Sequence, residues 1–128
     1  MVELSELERS LLQAPNYASL ATLCEDGWPS VSPVWVDLHD GMVLVNTTER
    51  RLKTQNARRD PRVAISAYDH SKPEAHMVSV RGRVVELRTE GAADHIDELS
   101  RRYTGHDFRG PKDERVILVI EPVRVASY

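Results

Sequence analysis

The stretch NTTERRLKTQN, Asn46 to Asn56, gathers side chains suited to holding an anion. Thr47 and Thr48 bring hydroxyls, Arg50 and Arg51 guanidinium forks, Lys53 an ammonium and Asn56 an amide. Continuing to Arg62, six cations stand against two anions, Glu49 and Asp60, which leaves +4 in a chain of formal net charge −3. The segment follows the apolar run of Met42 to Val45 and reads as a strand handing over to a short helix. A helix start carries unpaired N–H groups and the positive end of the dipole. Arg50 and Lys53 are three apart and share a face, as do Lys53 and Asn56. Together these groups form a socket that a phosphate monoester or diester fits. The bland alternative is a solvated helix whose cations pair with the acidic remainder. Arg58, Arg59 and Arg62 keep that bland reading.

Other chemistry is sparse. His39, His70, His76, His95 and His106 are scattered, with no His-x-x-x-His pair and no carboxylate at metal spacing. Each reads as a surface histidine, and no metal site is expected. His76 is set apart only because it opens a long strand. Neither a dinucleotide fingerprint nor a P-loop is present, and no serine sits in a Gly-x-Ser-x-Gly turn. Cys24 stands alone, which excludes an intrachain disulfide and a cysteine cluster for zinc, and reads as a small core residue. No catalytic side chain is named. An anion socket without catalytic side chains fits a protein that holds a cofactor which does the chemistry itself. In SVSPVWVD, Pro33 breaks a strand and frees backbone groups around Ser32, Pro33 and Val34 to meet the edge of a flat ring. Trp35 reads either as core or as part of that ring site.

The elements that would position these residues follow from pattern. The chain of 128 residues is one domain by size and buries roughly two-thirds of its unfolded surface. The acidic balance argues against nucleic-acid binding. No apolar run approaches the roughly 20 residues of a membrane span. The acidic, amphipathic start MVELSELERSLLQ is no secretory signal, so a cytoplasmic location is the default expectation. Residues 3–13 read as a helix capped by Ser5 and ended by Pro15. Strands are expected at 17–24, 28–38 and 42–46, joined by Asp-Gly turns into an antiparallel meander. Pro29 and Pro33 place at least part of the second on an edge or a bulge. A helix over 50–59, with the threonines before it as caps or anion donors, stops ahead of Pro61. Strands follow at 62–68 and 77–88, the latter bent at Gly82. A helix over 90–104 capped by Thr89 precedes a last strand at 115–126, whose run Val116–Ile120 is buried on both faces. Six strands and three short helices suggest a small, nearly closed barrel. Its long apolar strands and small size make a dimer the expected assembly.

The quoted pieces resemble a known family. LATLCEDGWPSVSPVWVD, GMVLVNTTERRLKTQNARRDPRVAISAYD, VSVRGRVVEL and RRYTGHDF…ERVILVIEPVRV are similar to the split β-barrel flavin-binding proteins. Within them they resemble the pyridoxamine 5′-phosphate oxidase-like branch that uses the deazaflavin coenzyme F420. The resemblance runs from about residue 5 to 126. Its most specific part is the Thr-Thr–basic helix with Lys53-x-x-Asn56 and RRDPRV.

The resemblance implies a mainly β, six-stranded antiparallel split barrel, the FMN-binding split barrel. It also implies a homodimer with cofactor sites at the subunit interface. The phosphate-binding residues of the family map onto Thr47, Thr48, Arg51, Lys53 and Asn56. Helical spacing puts Arg50 with Lys53, so both arginines are retained, Arg51 first. Ser32, Pro33, Val34 and Trp35 would lie along the ring, and Met77 and Ser79 of the partner subunit would close the site. The implied reaction is hydride transfer from C5 of the reduced deazaflavin to an electron-poor double bond, such as an enone or a bilin-type methine. Alternatives on the same fold are an FMN-dependent oxidoreductase and a non-catalytic protein that binds F420, a flavin or haem. Pyridoxamine phosphate oxidation itself is disfavoured, because no second phosphate socket is evident.

Overall fold

A computed structural model describes residues 2–128. The chain folds as α1 (Glu6–Gln13), β1 (Ala18–Leu23), β2 (Pro29–Val34), β3 (Asp37–His39), β4 (Met42–Thr48), α2 (Leu52–Arg59), β5 (Arg62–Tyr68), β6 (Met77–Arg88), α3 (Ala92–Thr104) and β7 (Arg115–Ser127). Ser5 and Glu8 form a reciprocal capping box at the start of α1, which satisfies two otherwise orphaned donors. Leu11 and Leu12 then face the core. At the other end of α1, buried Asn16 donates to the Leu11 carbonyl at 3.0 Å.

The strands make one seven-stranded sheet in the order β2-β1-β5-β6-β7-β4-β3, and every neighbouring pair is antiparallel. The expected six strands become seven because the second one breaks at Trp35–Val36. Its first half pairs with β1 and its second half with β4. The expected meander is therefore corrected, since no ladder joins the first hairpin to the second. The physical reason lies in the prolines. Pro29 and Pro33 cannot donate to a second ladder, so β2 is confined to an edge. The sheet curls until its two edges, β2 and β3, are held together by covalent chain rather than by hydrogen bonds. This is an open, split arrangement. Between β3 and β4, Asp40 and Gly41 have φ of 52° and 77°, the geometry of a two-residue primed hairpin turn.

Inside the curl lies the core, with Leu20, Val36, Val43, Val45, Ile65, Val80, Leu118 and Ile120 at most 2% exposed. α3 covers the opposite face of β4 and β7, where Leu44, Ala92, Ile117 and Val119 form a second cluster. Val116–Ile120 is therefore buried on both faces, as its unbroken apolar run requires. On β6 the register shifts between Arg81 and Gly82 and again between Val84 and Glu86. Two expected caps are corrected. α2 starts after Arg51, which makes no side-chain cap bond, and α3 starts after Gly91 rather than at Thr89. Among the described residues no helix is long and apolar enough to cross a membrane.

Candidate functional site

The strand-to-helix transition after β4 opens onto a cavity of about 260 Å³. Pro33, Val34, Trp35 and Tyr17 form one side of it. Asn46, Thr47, Arg51 and Lys53 form another, and Ile96, Phe108 and Arg115 complete the lining. The edges of the split sheet therefore bring SPVW and the basic segment to one place, although they lie on different strands.

Of the residues singled out from sequence, Pro33, Val34, Trp35, Thr47, Arg51 and Lys53 line this cavity. Six others do not. Arg50 has its side chain in water, 3.6 Å from Glu114. Asn56 is buried, donating to Thr22 Oγ1 at 3.0 Å, and so ties α2 to β1. The Thr48 carbonyl accepts the Thr54 hydroxyl at 2.6 Å, while Ser32 falls on the β2 register opposite Leu20. Of the two arginines retained, Arg51, which the resemblance favoured over the Arg50 of helical spacing, is the one in the cavity. α2 begins at Leu52, two residues later than the expected start at 50, so Arg50 and Arg51 precede the helix and helical spacing does not apply to them. Met77 and Ser79 sit on the outer face of β6, exposed and remote from the cavity of their own chain. Arg58 and Arg62 are ion-paired with Glu49 and Asp60.

Three cations converge without partners. Among the described residues, Arg51, Lys53 and Arg115 take part in no ion pair. Burial lowers the pKa of Lys53, and the charge of Arg51 lowers it further. Burial and then Arg51 act on Arg115 in the same direction. Arg51 thus lies between two like charges, an arrangement that costs free energy until an anion enters. Arg115 also lies over the Phe108 ring, with Cζ 4.6 Å from its centroid, a cation–π contact. Its Nε is buried and unpartnered. Among the described residues, no Asp, Glu, His or Cys lines the cavity.

Sequence reasoning missed Asn46, Arg115 and His95. His95, expected at the surface, is buried at 8% exposure. Its Nε2 lies 2.9 Å from Asp37 Oδ2 and its Nδ1 3.0 Å from Asn46 Nδ2. Arg102 also reaches Asp37, at 2.8 Å. Burial pushes the Asp37 carboxyl up, but hydrogen bonds from His95 and Arg102 outweigh it and hold the group at about 2. The available signal was position. Asn46 and Arg115 are the polar residues at the ends of two buried strands, and such residues need a reason to be there.

An open antiparallel sheet with its edges folded together and a cationic cleft between them is a split-barrel arrangement. The chain belongs to the pyridoxamine 5′-phosphate oxidase family, which matches residues 4–128. It is similar to a solved F420 reductase at 31% identity and TM-score 0.86, over 96% of this chain and 98% of that one. It also resembles the conserved hypothetical protein Rv2991 from Mycobacterium tuberculosis at 28% identity and TM-score 0.78, covering 99% and 86% of the two chains. An FAD-binding protein from Mesorhizobium loti shares the fold, at 24% identity and TM-score 0.73, over 97% and 94%. No curated protein matches the chain.

Proposed function

We propose that this protein is an oxidoreductase that uses coenzyme F420 to reduce an electron-poor double bond of a small organic substrate. The observation that carries the reading is the convergence of Arg51, Lys53 and Arg115, none of them in an ion pair, on a cavity whose described lining holds no Asp, Glu, His or Cys. Such a lining suits the binding and orientation of an anionic cofactor. The similarity to an F420 reductase over nearly the whole of both chains supports the choice of cofactor.

The residues present fit a phosphorylated, flat-ringed cofactor, which supplies hydride chemistry when bound. Arg51 and Lys53 would hold the phosphate, with Thr47 of β4 in the same lining. Pro33 and Val34 present an edge strand whose outward backbone groups are free to meet the ring. Trp35 is fixed by stacking on Tyr103, with ring centroids 5.2 Å apart, so it packs as a rigid wall. The aromatic lining would limit water around the ring, and either the cofactor or solvent at the open side would supply the proton that completes the reduction.

A cavity of about 260 Å³ is smaller than the roughly 300–1,000 Å³ of sites that enclose such ligands. We therefore infer a homodimer in which a second copy closes the site. The outer face supports this. Pro33, Ser19, Ser66, Ser79 and Ala126 lie in one cross-strand row. Small side chains there permit close approach, and the row begins at the cavity rim. The proposal is tested by titrating the purified protein with F420 and FMN by fluorescence, then following oxidation of reduced F420 across an enone panel. Tight FMN binding with no affinity for F420 would move the assignment to a flavin, and binding of neither would end the cofactor reading.

A further inference from the structure

Asn46 lines the cavity, and its amide is clamped through one of its two polar atoms. Its Nδ2 lies 2.9 Å from the Ala92 carbonyl and 3.0 Å from His95 Nδ1. A carbonyl can only accept, so the atom facing Ala92 must be the NH2 group. The same NH2 faces His95 Nδ1, which must therefore be the acceptor, and the ring proton belongs on Nε2. That proton points at Asp37 Oδ2, 2.9 Å away, and Arg102 holds the other carboxylate oxygen at 2.8 Å. Every link fixes the next, and the amide cannot rotate without setting carbonyl against carbonyl. What remains is Oδ1, an acceptor with no partner among the described residues.

A second orphan lies on the same face. Arg115 Nε is a buried donor without an acceptor. Asn46 pairs with Ile117 across the β4–β7 ladder, which places Arg115 one diagonal step away. One acceptor and one donor, both unsatisfied beside an anion socket, are complementary to a single alcohol hydroxyl, which donates once and accepts twice. A phosphate oxygen would satisfy Arg115 but would be repelled by the Asn46 carbonyl.

We propose that Asn46 and Arg115 recognise a hydroxyl on the chain that carries the ligand's phosphate, and that Asp37 and His95 are positioning residues which keep the Asn46 carbonyl turned toward it. The ligand class is a phosphorylated polyol attached to a ring. This rests on the cofactor reading above and adds a specificity element to it.

The test compares F420, FMN and an FMN analogue in which an unsubstituted pentyl chain replaces the ribityl group but keeps the terminal phosphate. Wild type should bind the deoxy analogue about tenfold more weakly than FMN, the size of one lost hydrogen bond. Asn46→Leu should lose about tenfold for FMN and F420 and no longer discriminate against the analogue. His95→Leu should lose part of this, His95→Gln should restore it, and Asn46→Leu/His95→Leu should bind no worse than Asn46→Leu alone. An Asn46→Leu protein that still favours FMN over the analogue would overturn the role of Asn46. Binding of neither cofactor by wild type would instead overturn the cofactor reading. Nitrogen-15 spectra of the unliganded wild type need no variant to fold. They should show the Nε2–H tautomer of His95, and a proton on Nδ1 would overturn the clamp.

Discussion

Trp35 lies flat against Tyr103, with planes 16° from parallel, and the same tyrosine fills the gap where the two sheet edges part. Its hydroxyl accepts from the Val36 N–H at 3.0 Å and donates to the Asn16 carbonyl at 2.8 Å. The break that splits one expected strand in two leaves backbone groups with no ladder partner. α3 supplies one from the side, and this satisfies a fully buried residue, Val36. Burial raises the Tyr103 pKa, so the hydroxyl stays protonated and available to donate.

Tyr103→Phe keeps the ring stack and deletes the hydroxyl. The Val36 N–H is then buried without a partner, at a cost of about 1–3 kcal/mol. Urea denaturation measures it. An unfolding free energy within about 0.5 kcal/mol of wild type, the usual range for surface changes, would show that another group takes over.

Gly82 sits where β6 shifts register against β7. A Cβ there would stand 2.5 Å from Ile120 Cγ2 and 2.9 Å from the Glu121 carbonyl oxygen. Ile120 is fully buried and the second contact is backbone, so neither yields without moving the sheet. Gly82→Ala is expected to cost roughly 1–3 kcal/mol, lowering Tm by about 4–12 °C in a thermal melt. A Tm equal to wild type would mean that the bulge is soft.

Asp37 gives stability a pH dependence. Its folded pKa of about 2 lies below the unfolded value of about 3.9. The stabilisation is therefore complete above about pH 4 and is lost as pH falls toward 2. Asp37→Asn should destabilise by roughly 1–2 kcal/mol at neutral pH, a figure reduced because the carboxylate partly faces water. The gap from wild type should close over that same window in urea titrations between pH 2 and 6. A gap independent of pH would place the effect in packing instead.

The β5 and β6 spans, the Ser5 cap and the doubly buried run of β7 were legible because each depends on local pattern: period, punctuation, or an unbroken apolar stretch. The break at Trp35–Val36 was not, because Pro33 announces an edge without saying that the two halves serve opposite edges of one sheet. In the site, Lys53 and Thr47 were legible from their crowding behind a strand, whereas spacing favoured Arg50 and only the family resemblance pointed to Arg51. Asn56 misled because helical spacing does not reveal which face the core takes, and here the core takes Asn56. Arg115 and the Asp37–His95–Asn46 chain join residues up to 69 positions apart (Asn46 and Arg115). Only the curled sheet brings them together.

The unpaired cations set binding against stability. Arg51 lowers the pKa of both Lys53 and Arg115, so it repels each of them in a half-buried cleft. Replacing one with an apolar residue of similar length relieves that repulsion and removes part of the socket. Lys53→Met should therefore raise the stability of the unliganded protein by about 0.5–1 kcal/mol, within the usual range for improved charge placement. It should also weaken F420 or FMN binding by roughly 1.5–3 kcal/mol, the loss of one charge-assisted contact. Arg50→Ala, whose side chain pairs with Glu114 outside the cavity, should leave affinity unchanged. Added salt should stabilise wild type more than Lys53→Met, because screening acts on the repulsion that the variant lacks. Melts with and without salt, beside fluorescence titrations, separate the two effects. A Lys53→Met protein that is less stable and binds as well as wild type would return the basic segment to an ordinary solvated helix.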